Sequence, residues 1–228
     1  MVSVNYPLSS QARKVAFVKN GNIDVIYAGT SIDLENTLLP VRFPVMRGLS
    51  GQRLFIIHNS LQVEYDRVKS IADLKRHTGI QGLGWGDTQV LKAYGLTVKE
   101  ALYDDIFPDI NAGAHLYFPR GVVEVFSEID TRAARMPNLA VEQKLLLVYK
   151  TAVFFFVNPS NLALADMITQ GFLNAYADGS YPRFFYNHPL IRPALEKADL
   201  HHRIRIEIPN LFLTPETKSI PRQYWHSK

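Results

Sequence analysis

The segment Gly84-Trp85-Gly86-Asp87-Thr88 contains residue types that suit ligand binding. Glycines let a ligand approach the backbone, and an indole ring can stack on it. A helix that begins here presents free N–H groups and the positive end of its dipole to an anionic group. The alternative is that Asp87 or Thr88 is an ordinary helix cap and that Trp85 is an aromatic residue at the rim of a cleft.

A second candidate loop, Ala28-Gly29-Thr30-Ser31, follows a compact apolar segment at residues 23–27 that reads as a strand. Small and hydroxyl-bearing residues after a strand offer backbone and side-chain hydrogen bonds to a ligand. They also form turns that cap the next helix, here through Ser31 or Asp33. The loop therefore predicts either a ligand contact or a helix cap.

Arg120 lies in Tyr117-Phe118-Pro119-Arg120-Gly121, where a strand ends. A guanidinium fixed in a cleft suits a carboxylate, a phosphate or another planar anion, because it donates two parallel hydrogen bonds. The alternative is a structural salt bridge to Glu124, one helical turn further on. Tyr27 and Phe118 are candidate aromatic residues of the same cleft, although aromatic residues on strands usually pack in the core.

Composition excludes several classes of chemistry. The 228 residues include no cysteine, which excludes disulfides, thiolate catalysis and cysteine-ligated zinc. The seven histidines show no metal-ligand spacing, and no H-E-x-x-H or G-x-S-x-G motif is present. We therefore expect no metal and no cofactor. The net charge of +4 comes without a run of Lys and Arg, so we expect no nucleic-acid partner.

Strand and helix patterns alternate along the chain. This alternation predicts an α/β architecture with mostly parallel sheets. The clearest predicted strands lie at residues 23–27, 53–58, 80–83, 115–118, 145–148, 152–157 and 204–208. The longest predicted helices lie at residues 122–135 and 162–178.

Three segments carry a resemblance to a known family. They are NGNIDVIYAGTS, SIADLKRHTGIQGLGWGDTQVLKAYGL and FFFVNPSNLALADMITQGFLNAYADGSYPRFF. In their order and spacing, they resemble the amino-acid-type periplasmic solute-binding proteins of ABC transporters. The similarity runs from about residue 4 to about residue 186, and the tail beyond residue 188 is outside it.

The resemblance implies a two-lobed, periplasmic-binding-protein-like clamshell with two interlobe crossings, near residues 54–69 and 149–155. Lobe one would comprise residues 1–77 plus 154–228, and lobe two residues 78–153. The ligand would bind in the cleft, at strand ends and helix N-termini, which is also where open α/β sheets bind ligands in general. The implied ligand residues are Tyr27, Gly29, Thr30, Ser31, Trp85, Asp87, Thr88, Phe118 and Arg120.

Two positions depart from the amino-acid binders of this family. An arginine that holds the substrate carboxylate aligns with Asn36, and an acidic residue that holds the substrate ammonium aligns with Arg120. These changes remove the usual clamp for a zwitterion. The departures predict a small anionic ligand rather than an ordinary α-amino acid.

The strand-helix unit that opens lobe one in the family has no counterpart before residue 2. An unpaired strand edge would result, which favours pairing with another chain. Either the chain is part of a longer one, or a neighbouring copy covers the edge in a homo-oligomer. The resemblance implies a periplasmic location, although the first residues, MVSVNYPLSS, lack the pattern of a signal peptide.

The leading functional hypothesis is a binding protein that captures a small molecule by hinge closure and is then read by an ABC permease or a sensor kinase. A first alternative is a lyase or dehydratase on the same fold, with Asp87, Glu124 and Arg120 in the cleft. A second alternative is a degenerate binder that has lost its ligand.

Overall fold

The computed structural model describes residues 11–226. Within this range the helices are α1 (Gln11–Lys19), α2 (Ile32–Thr37), α3 (Gln62–Tyr65), α4 (Ile71–Leu74), α5 (Gly86–Ala93), α6 (Tyr103–Asn111), α7 (Val125–Asp130), α8 (Leu162–Ala177), α9 (Ser180–Asn187), α10 (Arg192–Ala198) and α11 (Pro215–Lys218). The strands are β1 (Val25–Gly29), β2 (Leu39–Val41), β3 (Gln52–His58), β4 (Thr78–Gly82), β5 (Thr97–Ala101), β6 (Leu116–Gly121), β7 (Leu139–Val141), β8 (Leu145–Val148), β9 (Val153–Val157) and β10 (Ile204–Glu207). None of the described helices combines the length and the apolar character needed to cross a membrane.

The strands form two sheets. The small sheet has the order β1-β9-β2, and both outer strands run antiparallel to β9. The large sheet has the order β10-β8-β3-β6-β4-β5, with β7 also pairing with β3. Among residues 11–226, no strand pairs with the edge of β1 that faces away from β9. The mixed α/β class is confirmed, and the oligomer predicted to cover this edge stays a prediction.

The prediction of mostly parallel sheets is wrong. Only β4 with β5, β4 with β6, and β10 with β8 are parallel pairs among the described strands. The strands β3 and β9 run antiparallel to their neighbours because each enters its sheet directly from the other sheet, without a crossover helix within one sheet.

The chain passes from the small sheet to the large sheet between β2 and β3, and returns between β8 and β9. The second passage lies where the sequence predicts it. The first lies before residue 52 rather than at 54–69, because the whole of β3 pairs inside the large sheet. The strand β10 also belongs to the large sheet. Residues 52–58 and 204–207, which the resemblance placed in lobe one, therefore pair with strands that it placed in lobe two. The lobe boundaries themselves stay a prediction.

The strand β3 explains why the large sheet has a core on each face. Its sequence RLFIIH is buried almost throughout, and successive side chains point to opposite faces. Leu54 and Ile56 pack in one apolar cluster, and Phe55 and Ile57 in the other. Each such side chain contributes about 1.5–3 kcal/mol on burial, so this strand is the structural centre of the sheet.

Candidate functional site

The candidate site begins where β4 turns into α5. Gly84 has a φ of +74°, a conformation that glycine adopts without strain, and the helix then starts at Gly86. At Gly82 a Cβ atom would lie 2.3 Å from the Trp85 ring, so glycine is needed for the indole to pack over the end of the strand. The backbone therefore places Trp85 directly beside the end of β6.

Arg120, near the end of β6, lies against this indole. Its Cζ atom is 4.8 Å from the centroid of the Trp85 ring, and Phe118 and Tyr103 lie at 5.0 and 5.8 Å. Cation–π contacts of this kind are stronger when the cation is shielded from water, and the Arg120 side chain is 9% exposed. The structure thus brings Trp85 and Arg120 into direct contact. Phe118 is fully buried and packs against the guanidinium.

Arg120 is already paired with carboxylates. Its Nη2 donates to Oε1 of Glu128 at 2.7 Å, and its Nε donates to Oε2 of Glu128 at 2.8 Å. Its Nη2 also lies 3.2 Å from Glu124. Burial acts to lower the pKa of Arg120, but the hydrogen bonds to Glu128 and the charges of Glu124 and Glu128 outweigh it and raise that pKa. The salt bridge to Glu124 considered from the sequence is present, and Glu128 provides a stronger one.

Asp87 forms the second charged pair of the site. Its Oδ2 accepts from Nη2 of Arg53 at 2.8 Å, and its Oδ1 accepts from the hydroxyl of Tyr149 at 2.9 Å. Burial raises the pKa of Tyr149 well above its usual value, which keeps this hydroxyl a proton donor. Asp87 therefore connects the start of α5 to the segments that join the two sheets. Its side chain does not cap α5, whose N-cap residue is Trp85.

Glu124 lies between the two guanidinium groups. One of its oxygens is 3.2 Å from Nη2 of Arg120 and 3.9 Å from Nη1 of Arg53, and it accepts from the backbone N–H of Gly121 at 3.1 Å. The Glu124 side chain is 42% exposed, against 6% for Arg53 and 9% for Arg120. We name the five residues Arg53, Asp87, Arg120, Glu124 and Glu128 the charged cluster. It combines two cations and three carboxylates, and its most accessible member is an acid.

The small sheet contributes Tyr27, on β1. The Tyr27 side chain is 53% exposed. Partial burial raises the pKa of Tyr27, and the negative charge of Glu124 raises it further. The charge of Glu124 on the large sheet thus acts on Tyr27 of the small sheet.

The loop after β1 is used mainly for structure. Ser31 caps α2 by accepting the N–H of Leu34 at 3.2 Å. Thr30 donates to the buried carboxylate of Glu35 at 2.5 Å. Gly29 is exposed, and a Cβ atom there would meet nothing within 4 Å. Gly29 is the last residue of β1 and pairs with Val153, so every residue of this loop contributes to the fold.

Thr88 is buried. It is 4% exposed, and its hydroxyl oxygen is buried without a hydrogen-bond partner among residues 11–226. The structure brings Trp85, Asp87 and Arg120 together around the charged cluster. Tyr27 and Gly29 lie on β1 of the small sheet, Thr30 and Ser31 are used in local hydrogen bonds, and Thr88 and Phe118 are buried.

Sequence reasoning missed Arg53, Tyr149, Glu128 and Tyr103. Tyr103 donates to Glu128 at 2.6 Å and completes its surroundings. Arg53 carries one visible signal, because a charge at the head of the apolar run LFII requires a buried partner. Nothing in the chain order indicates that this partner is Asp87, 34 residues away.

No known protein family matches the sequence, and no curated protein matches it either. Solved structures do match the fold. An ancestral arginine-binding protein bound to glutamine is 15% identical, with 81% of this chain and 79% of that chain covered and a TM-score of 0.58. A binding component of an ABC transporter from Wolinella succinogenes, complexed with lysine, is 14% identical, with coverage of 81% and 78% and a TM-score of 0.59.

A third structure, an amino acid ABC transporter substrate-binding protein from Streptococcus pneumoniae bound to L-arginine, is 12% identical. It matches over 81% of this chain and 73% of that chain, with a TM-score of 0.53. At such identities the similarity establishes the fold. The chain therefore has the mixed α/β, periplasmic-binding-protein-like fold shared with the two-lobed substrate-binding proteins of amino-acid ABC transporters.

Proposed function

We propose that this protein is a solute-binding protein that captures a small molecule between its two sheets and presents it to an ABC permease or a sensor kinase. The observation that carries the proposal is the fold shared with two-lobed substrate-binding proteins, together with the charged cluster, in which the exposed Glu124 lies beside the buried Arg120. A ligand held by both sides stabilises a closed form by its higher affinity for that form. The fold supports a periplasmic or extracellular location.

The contacts favour a ligand with a positively charged group. Glu124 is the most exposed charge of the cluster. Trp85 packs against its partner Arg120, and the charge of Glu124 acts on Tyr27. An ammonium or guanidinium group beside Glu124 would offset the excess negative charge of the cluster. Two of the compared structures hold lysine and arginine, which carry such groups.

The anionic ligand predicted from the sequence is the second candidate, and the position of Arg120 against Trp85 favours it. Such a ligand would have to compete with Glu128 and Glu124 for the guanidinium. A site of this kind would bind anions only after Glu124 moves away, since Glu124 is the more exposed of the two acids.

Isothermal titration calorimetry with lysine, arginine, glutamate and citrate separates these two candidates. The variant Glu124→Gln should abolish binding of a cationic ligand and strengthen binding of an anionic one. Glu216→Gln, which removes an exposed charge on α11, is the matched control. Small-angle scattering with the ligand that binds should show a decrease in the radius of gyration. Absence of binding across the panel, together with unchanged scattering, would support the degenerate binder instead.

The lyase alternative assigns proton transfer to Asp87 and Glu124. Both oxygens of Asp87 already accept hydrogen bonds, from Arg53 and Tyr149. Glu124 is thus the more accessible acid for a substrate. Turnover of unsaturated-acid precursors, followed by absorbance and lost in Glu124→Gln, would identify an enzyme.

A further inference from the structure

A second pocket lies apart from the charged cluster. Its volume is about 780 Å³, and it is formed where the C-terminal segment folds over the strands that link the two sheets. The charged and polar side chains in its walls include Arg47, Gln52, Lys150, Arg205, Glu207 and Arg222.

The pocket and the charged cluster lie on opposite sides of the same strand. Gln52 lines the pocket, whereas its neighbour Arg53 bonds to Asp87 in the cluster. Successive side chains of a strand point to opposite faces, so the two sites do not share an opening at this strand. Tyr149 touches both, because it lines the pocket and its hydroxyl donates to Asp87.

Positive charge dominates this pocket. Arg47, Lys150, Arg205 and Arg222 line it, and Glu207 is the one carboxylate among its lining residues in the described part of the chain. Glu207 pairs with Arg205. Among residues 11–226, no carboxylate lies within salt-bridge distance of Arg47, Lys150 or Arg222. Within the described part of the chain, these three cations in a partly enclosed space have no carboxylate partner.

Arg47 is held rigidly in the wall of this pocket. It is 8% exposed, and its Nη2 donates to the backbone carbonyls of Gln223 and Trp225 at 3.0 and 3.2 Å. Its φ of +48° is unusual for a residue with a side chain, which indicates that the surrounding structure imposes the position. Its Cζ atom also lies 5.6, 5.9 and 5.3 Å from the ring centroids of Tyr176, Phe185 and Tyr186, so carbonyl groups and aromatic rings surround this charge in place of a carboxylate.

Two further observations point to an occupant. The buried Nε–H of Arg47, a donor that suits an anion, has no hydrogen-bond partner among the described residues. Lys150 lies with its ammonium group 4.6 Å from the Trp225 ring and donates to the carbonyl of Lys218 at 2.7 Å. Burial lowers the pKa of Lys150, and an anion nearby would restore it.

We propose that this pocket binds a compact polyanion, a small molecule with two or more phosphate or carboxylate groups, between Arg47, Lys150 and Arg222. The volume accommodates a molecule of metabolite size, since ligand pockets typically measure about 300–1,000 Å³. Because its walls include the segments that connect the two sheets, the occupied pocket ties the C-terminal segment to those connections.

Calorimetry with pyrophosphate and with citrate tests the proposal and separates phosphate from carboxylate recognition. Arg222→Gln should weaken binding of the preferred probe by about tenfold, as expected for loss of a charge-assisted hydrogen bond. Arg205→Gln should have a smaller effect, because Arg205 is already paired with Glu207. Both residues are exposed, so these variants should remain folded, which circular dichroism verifies. Arg135→Gln removes the same charge from an exposed position outside the pocket and should leave the affinity unchanged.

Failure of both probes to bind the wild-type protein would overturn the proposal, as would equal weakening in Arg135→Gln. Glu124→Gln distinguishes this site from the proposed solute site. It should alter the binding of the cleft ligand and leave the polyanion affinity unchanged. Stronger polyanion binding in Glu124→Gln would instead place the anion at the charged cluster, where this variant removes a competing carboxylate.

Discussion

The guanidinium of Arg120 donates three hydrogen bonds to the carboxylate of Glu128, of 2.7, 2.8 and 3.1 Å, in a largely buried position. The pair leaves Arg120 in place beside Trp85 but occupies the donors that a ligand anion would use. The positive charge of Arg120, which the sequence shows, is therefore already paired. The charge that the site exposes to a ligand is the negative charge of Glu124.

Replacing Glu128 with Gln should leave a buried cation short of its main partner. Breaking one side of a buried ion pair costs about 3–5 kcal/mol, and the nearby Glu124 reduces this to about 2–4 kcal/mol. Urea unfolding measures the change. The control Glu216→Gln should change the stability by less than about 0.5 kcal/mol. A similarly small effect of Glu128→Gln would show that the pair contributes little.

Glu35 connects the C-terminal segment to the small sheet. Its oxygens accept from Thr30, Thr214 and Thr217 at 2.5, 2.8 and 2.8 Å, and from Arg42 at 3.1 Å. Glu35→Ala would leave the two buried threonine hydroxyls of the tail without their acceptor, at a cost of about 2–4 kcal/mol. The variant should unfold at lower urea and release the tail to limited proteolysis. Glu216→Ala, on the same tail but exposed, should remain as protease-resistant as the wild type.

Gly82→Ala tests the packing of Trp85. The added methyl group would lie 2.3 Å from the indole, so the ring must move away from Arg120. In a Trp225→Phe background, which removes the second tryptophan, we expect the emission of Trp85 to shift to longer wavelength. Gly86→Ala, where a Cβ atom meets nothing within 4 Å, is the matched control and should leave the emission unchanged. Identical spectra for both variants would contradict the stacked arrangement.

Ser70 links helix capping to acid stability. It accepts the N–H of Asp73 at 3.3 Å and donates to the Asp73 carboxylate at 2.8 Å, which lowers the pKa of Asp73 from 3.8. A lowered pKa stabilises the folded state above the ordinary value, and this contribution is lost as the pH falls through the lower, folded value. Ser70→Ala should cost about 1 kcal/mol at neutral pH.

The same variant should lose less stability than the wild type when the pH falls below 4, because the Asp73 pKa returns toward its ordinary value. Thermal unfolding between pH 7 and pH 3 measures the difference. Ser219→Ala, which removes an exposed hydroxyl bonded only to a backbone carbonyl in the described structure, should shift the whole curve without altering its pH dependence. Parallel curves for Ser70→Ala and the wild type would rule out the link.

Local sequence patterns predict some elements correctly, whereas pairing with a neighbouring strand changes the bounds of others. The apolar run of β3 predicted a buried strand, and the long helix α8 begins at the predicted residue. The helix predicted over 122–135 is shorter, at Val125–Asp130. The N–H of Val122 instead donates to the carbonyl of Gln52, so the chain continues along the sheet before the helix begins.

The sequence by itself determined the α/β class and the positions of Trp85 and Arg120 at the ends of two strands, since these follow from local periodicity and turn residues. The fold resemblance came from the order of three segments along the chain. Only the tertiary structure decided which charges neutralise one another. Arg53 meets Asp87 from 34 residues away, and Tyr149 meets Asp87 from 62. Such pairs depend on the order of strands in the sheet. Packing over the whole chain sets that order, and the spacing of residues along the sequence does not reveal it.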